Sequence, residues 1–146
     1  MFAFTNTLGA VVAILFYLSA IFVFVFRLVK KPRAEFWTGL LEFILIIPLI
    51  YLLFEAPRLN RPALYYLQIG CMLAWFLASA ILDYVFRIEF RTVRWLVILY
   101  VVLFFAGTGG LLGVASNAGL AWTAFAAVLF LAMSVLTFVQ RAVTGK

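Results

Sequence analysis

Residues 8–26 read LGAVVAILFYLSAIFVFVF, which are 19 consecutive apolar or small residues. A helix needs about 20 mainly apolar residues to cross a hydrocarbon core that is about 30 Å thick. Membrane-spanning strands would instead alternate in polarity over about 10 residues. The run therefore predicts a transmembrane helix. No basic side chain precedes it, and a secretory signal has an apolar core of only about 7–15 residues, so we expect a retained span.

The composition of the whole chain agrees with a lipid environment. Of the 146 residues, 68% are hydrophobic and 11% are charged, and the mean hydropathy is +1.23. Soluble globular domains are about 45–50% apolar and about 25% charged. A soluble enzyme and a disordered tail are therefore excluded, and the predicted class is an all-α, polytopic integral membrane protein.

Four further apolar runs bring the number of predicted spans to five. The turns between them are short: Pro57 and Pro62 bracket one, and Ser116, Asn117 and Gly119 mark another. Because no linker is long enough to separate domains, residues 1–146 are expected to form one compact transmembrane bundle. The predicted spans cover residues 8–29, 36–56, 63–86, 93–114 and 120–139.

The distribution of positive charge predicts the orientation. Nine of the 11 lysine and arginine residues lie on one side of the predicted bundle, and the other side carries Arg58 and Arg61. Basic loops stay in the cytoplasm, so we expect an N-terminus outside and a C-terminus inside, in the inner (plasma) membrane. The net charge of +6 then reflects membrane topology, and no nucleic-acid partner is expected.

Several kinds of chemistry are excluded by the residue inventory. The chain has no histidine, and Cys71 is its one cysteine, so histidine-ligated metals, catalytic histidine pairs, CxxC motifs and internal disulfides are ruled out. The three lysines lie outside the apolar runs, which argues against a retinal Schiff base. We therefore predict no metal, no cofactor and no catalytic residue.

Glu42 is the most informative single residue. Twelve residues separate it from Glu55, and helix of that length, about 18 Å, is too short to cross the core. The second span must then begin near Phe36, which places Glu42 about 9 Å inside the cytoplasmic end. A carboxylate there costs roughly 2.5–3.5 kcal/mol, so it should face protein or water, or be protonated. It is either a structural residue bonded to a neighbouring helix or a binding or proton-handling group.

The residues around Glu42 predict a polar face and an irregular helix. Glu35, Thr38 and Glu42 are spaced i, i+3 and i+7, which puts them on one side of a helix. Pro48 lacks the N–H that would bond to the carbonyl of Ile44, so we expect it to kink this span.

A second polar stripe is predicted on the third span, where four side chains fall within an arc of about 100° on a regular helix. Asp83 and Arg87 can pair there, either as an interfacial anchor or as part of a cytoplasm-facing pocket that Asp83 shares with Glu42. Trp75 lies mid-span beside the stripe and either packs or walls that pocket. The four residues of the stripe are Gln68, Ser79, Asp83 and Arg87.

Small residues cluster at the end of the fourth span. Gly109 and Gly113 form a GxxxG motif, and Ala106 and Gly110 form a second small pair. Such residues let helices approach closely, so we expect tight packing within the chain or between copies rather than an unwound, cavity-lining segment. A suitable partner is the alanine-rich fifth span, with Ala118, Ala121, Ala124, Ala127 and Ala132.

Three classes of function fit these features. The first is a protein that handles an ion, a proton or a small lipophilic solute at an intramembrane carboxyl group near the cytoplasmic side. The second is an accessory or assembly subunit of a larger membrane complex, and the third is a lipid-processing enzyme with paired carboxylates. Expected partners are membrane lipid and either further copies of the chain or a membrane complex. The candidate binding or proton-handling residues are Glu42, Asp83, Arg87, Thr38, Ser79, Gln68 and Trp75, and the candidate packing residues are Gly109, Gly110, Gly113 and Pro48.

Overall fold

The fold was obtained as a computed structural model that describes residues 2–85 and 94–144. All regular structure in this part of the chain is helical. A 3-10 segment (Phe43–Leu45) joins the second and third α-helices, and a π-helical segment (Ala80–Val85) follows the fourth. The α-helices are α1 (Phe2–Leu28), α2 (Pro32–Glu42), α3 (Ile46–Glu55), α4 (Ala63–Ser79), α5 (Arg94–Ser116) and α6 (Leu120–Thr144).

Five stretches of the described chain are long and apolar enough to cross a membrane, which confirms the predicted all-helical, multi-pass bundle. Helices α2 and α3, with the 3-10 segment between them, make up one stretch, and α1, α4, α5 and α6 account for the other four. The orientation of the termini and the identity of the membrane stay predictions from the charge distribution.

The second span begins earlier than the sequence predicts, at Pro32 rather than near Phe36. Proline suits the first turn of a helix because its ring fixes φ and the missing N–H has no partner there anyway. The chain reverses just before it at Lys30, whose φ is +58°, and the Lys31 N–H bonds to the carbonyl of Phe26 at 2.9 Å. This bond caps the C-terminal end of α1, and α2 begins at the next residue.

Two spans contain an irregular helical turn directly after a polar residue. The 3-10 segment lies directly after Glu42 and just before Pro48, whose ring removes one backbone donor from the helix. The π-helical segment begins directly after Ser79. A π turn rotates less per residue than an α turn, so the regular spacing used to predict the stripe on this span ends at Ser79. The side chain of Asp83 and the whole of Arg87 lie outside the described residues.

The glycines of α5 pack against α4 within the same chain. A Cβ atom added to Gly110 would lie 2.8 Å from the backbone oxygen of Gln68, and one added to Gly107 would lie 3.0 Å from the Cα of Met72. A Cβ on Gly113 would meet the end of the Gln68 side chain, whereas one on Gly109 would meet nothing within 4 Å. Gly110 and Gly113 therefore pack within the chain against α4, rather than against α6, which the sequence suggested as a suitable partner. An oligomer stays a prediction.

Helix α1 lies at the centre of the bundle and packs against α2, α5 and α6. Its buried Tyr17 donates a hydrogen bond to the backbone oxygen of Thr108 on α5. Contact between α5 and α6 includes stacked rings of Phe105 and Phe138, whose centroids are 5.9 Å apart. Helices α2 and α5 both begin beside the end of α1. They do not pack extensively against each other in the described part of the chain.

Candidate functional site

A cavity of about 360 Å³ lies at the end of the bundle where α1 and α6 end and where α2 and α5 begin. It extends from exposed residues at the helix ends, including Pro32 and Arg141, to the buried side chain of Glu42. All five spans contribute to its walls. The charge distribution predicts that this end faces the cytoplasm.

Two residues that line the inner end of this cavity each have a buried polar atom without a partner among the described residues. Glu42 is 6% exposed, and its Oε1 atom accepts no hydrogen bond from the described residues. Trp75 is also 6% exposed, and its Nε1 atom has no acceptor among them. Buried polar groups in native proteins are nearly always hydrogen-bonded, and an unmade bond costs about 1–3 kcal/mol. An unpartnered acceptor and an unpartnered donor in one place make the inner end the candidate site.

The position of Glu42 follows from the local structure of α2. It lies ten residues from Pro32, which corresponds to about 15 Å along the helix axis and is deeper than the sequence predicts. Glu35, Gly39 and Glu42 line the cavity at i, i+4 and i+7, so they form one face of the helix. Gly39 presents no side chain beside the carboxyl group. Thr38, predicted for this face, is half-buried and does not line the cavity.

Aromatic rings form the wall behind the two orphaned groups. The indole ring of Trp75 lies 5.5 Å from Phe16, 5.4 Å from Phe104 and 6.0 Å from Tyr100, measured between centroids. These rings come from α1, α4 and α5, and all four residues line the cavity. Edge-to-face contacts of this kind hold large side chains in fixed orientations. The inner end consequently combines a rigid aromatic surface with a single carboxyl group in its lining.

Polar contacts across the mouth connect three spans. Arg27 on α1 forms an ion pair with Glu35 on α2, with an N–O distance of 2.7 Å. The same guanidinium donates to the side-chain oxygen of Gln140 on α6 at 3.2 Å. Its Cζ atom lies 5.7 Å from the ring centroid of Phe24. Because Arg27 is committed to Glu35, Glu42 is left without a cationic partner among the described residues.

The structure brings some of the predicted candidates together and separates others. Glu42, Trp75 and Ser79 line the same cavity. Gln68 lies instead at the α4–α5 contact, where it meets Gly110 and Gly113. The predicted pairing of Asp83 with Arg87, and the sharing of a pocket by Asp83 and Glu42, fall outside the described side chains and stay predictions.

Sequence reasoning missed several cavity residues because they come from other helices. Arg27 and Gln140 lie at span ends, where polar residues are expected at the membrane surface, so the sequence gives no reason to select them. Tyr100 and Phe104 lie within an aromatic-rich span and resemble ordinary packing residues. The one available signal was that Gln140 interrupts an apolar run before the last basic residues.

Comparisons with models of known families, with curated protein sequences and with solved structures found no match to this chain.

Proposed function

We propose that this protein binds a small solute in the cavity beside Glu42 and handles it from the cytoplasmic side of the membrane. The observation that carries the proposal is the carboxyl group of Glu42, which is buried within a span and lines the cavity, and whose Oε1 atom has no hydrogen-bond partner among the described residues. Ionisable side chains within membranes face the bundle interior or water-filled cavities, and there they mark pathways and binding sites.

The shape and chemistry of the cavity also support solute binding. Its volume, about 360 Å³, lies within the range of about 300–1,000 Å³ that is typical of small-molecule sites. Such sites are mostly apolar and contain a few polar groups that fix orientation, which describes walls of aromatic and aliphatic side chains around Glu42 and Trp75. A carboxyl group that only held helices together would be bonded to its neighbours, as Glu35 is bonded to Arg27.

Chemical labelling tests whether water and solutes reach the carboxyl position. In a Cys71→Ala background, Glu42→Cys should react with a membrane-impermeant thiol reagent added to inside-out vesicles, and it should react much more slowly in right-side-out vesicles. The matched control is Ile47→Cys on the same span. Ile47 is 71% exposed on the outside of the bundle, so lipid should shield it from the reagent on both sides. Failure of Glu42→Cys to react from either side would contradict the proposal.

A further inference from the structure

We infer that the solute is an organic cation, such as a protonated or quaternary amine with an apolar body. This inference rests on the proposed function, because it assigns a substrate class to the same cavity. It follows from three properties of the inner end: the sign of its charge, the chemistry of its walls and the small number of its oxygen ligands.

The ionisable side chain at the inner end is acidic. Glu42 is the ionisable carboxyl group at that end, and the two arginines that line the described cavity lie at its mouth. Arg27 is already paired with Glu35, and Arg141 is exposed. A solute that reaches Trp75 therefore meets one carboxyl group that pairs with no cationic side chain among the described residues. When this group is ionised, it favours a cation and opposes an anion.

The aromatic wall favours the same sign of charge. The faces of tryptophan, tyrosine and phenylalanine rings carry partial negative charge and attract cations within about 6 Å of the ring centroid. Trp75, Tyr100 and Phe104 line the cavity with rings of this kind. The mouth already contains a contact of this type, between Arg27 and Phe24. The rings and the carboxyl group thus favour the same sign of charge.

The ligand set does not favour calcium or magnesium as the natural occupant. Calcium takes about 6–8 oxygen ligands and magnesium about six in near-octahedral geometry. The inner end offers one carboxyl group and the hydroxyl groups of Ser79 and Tyr100 among carbon-rich side chains, which are few oxygen ligands for either ion. An ammonium group can use the Glu42 oxygen, while its apolar substituents contact the rings and the aliphatic side chains of α5, including Val97 and Val101.

Charge-selective labelling within the cavity tests this inference. In the Cys71→Ala background, Ser79→Cys should react faster with trimethylammonioethyl methanethiosulfonate than with sulfonatoethyl methanethiosulfonate, after each rate is divided by that for a small free thiol. We expect a normalised ratio of about tenfold or more, because one carboxylate in a poorly solvated cavity acts in opposite directions on the two reagents. Adding Glu42→Gln should bring the ratio close to one while the size-exclusion profile is unchanged.

Protection of the same cysteine provides an independent measurement. Benzyltrimethylammonium should slow labelling of Ser79→Cys in a saturable way, and phenylmethanesulfonate, an anion with the same ring, should not. Val101→Cys, on the α5 part of the lining, serves as a second labelling site if Ser79→Cys does not fold.

The outcomes separate this inference from the proposed function. Labelling without charge preference, or protection by the anion, would overturn the organic cation and leave the solute cavity in place. Absence of labelling at both cavity cysteines with either reagent would overturn the cavity itself.

Discussion

Helix α5 packs in two different ways along its length. In its second half, Gly107 and Gly110 bring the helix against the backbone of α4, and we call this the closed face. In its first half, Tyr100 and Phe104 line a cavity of about 360 Å³, and we call this the open face. Glycines allow backbones to meet, whereas large rings hold neighbouring helices apart and leave space between them. The comparison indicates that the closed face supports the fold, and the open face borders the cavity in which we propose that a ligand binds.

The largest effect should come from breaking the closed face. Gly110→Leu places a branched side chain against the backbone of Gln68, which cannot rotate out of the way as a side chain can. We expect a loss of about 3 kcal/mol or more in the free energy of unfolding, measured by detergent-denaturation titration in mixed micelles. The matched control is Gly109→Leu, which adds the same side chain at a neighbouring position with nothing within 4 Å of its Cβ. Its effect should stay within about 1 kcal/mol. Equal losses for the two variants would show that the closed face is not formed as described.

The next largest effect on the free energy of unfolding should come from the open face, and it should be a gain in stability instead of a loss. Glu42→Met replaces an unpartnered carboxyl group by an apolar side chain of similar length, so the cost of burying that group disappears. We expect the free energy of unfolding to rise by about 1–3 kcal/mol while protection of the cavity cysteine by benzyltrimethylammonium is lost. A large destabilisation would instead identify Glu42 as a structural residue. A gain in stability with loss of binding is the trade-off that functional sites show.

The contrast between the faces also explains how much the sequence alone could predict. Five spans and their short turns follow from run length and turn residues, because the bilayer sets a minimum length for each apolar helix. Glu42 is identifiable because a carboxylate in such a run is costly. The rotation of each helix about its axis is not predictable in the same way, since side chains facing lipid are as apolar as those facing other helices. For that reason the sequence suggests α6 as a partner for the glycines although Gly110 meets α4, and it does not single out Tyr100 for the cavity.

A smaller loss of stability is expected when the hydrogen bond between α1 and α5 is removed. Tyr17 donates to the backbone oxygen of Thr108, and its side chain does not line the cavity. Tyr17→Phe removes one buried hydrogen bond and keeps the ring, so the free energy of unfolding should fall by about 1 kcal/mol. The charge preference of labelling at Ser79→Cys should be unchanged. A change in that preference would mean that this hydrogen bond also determines the shape of the cavity. The open and closed faces of α5 would then not be structurally independent.

The smallest effect should come from the other carboxyl group on the same span. Glu55 ends α3 and pairs with the exposed Arg58 at 3.3 Å, whereas Glu42 has no partner of this kind. Ion pairs with exposed partners contribute at most about 1 kcal/mol, so Glu55→Gln should change the free energy of unfolding by less than that. It should also leave labelling and protection in the cavity unaltered, because Glu55 lies 13 residues, about 20 Å of helix, from Glu42. Loss of cation protection in Glu55→Gln would mean that the two carboxyl groups act along one path through the span, and that the binding site is not confined to the cavity end.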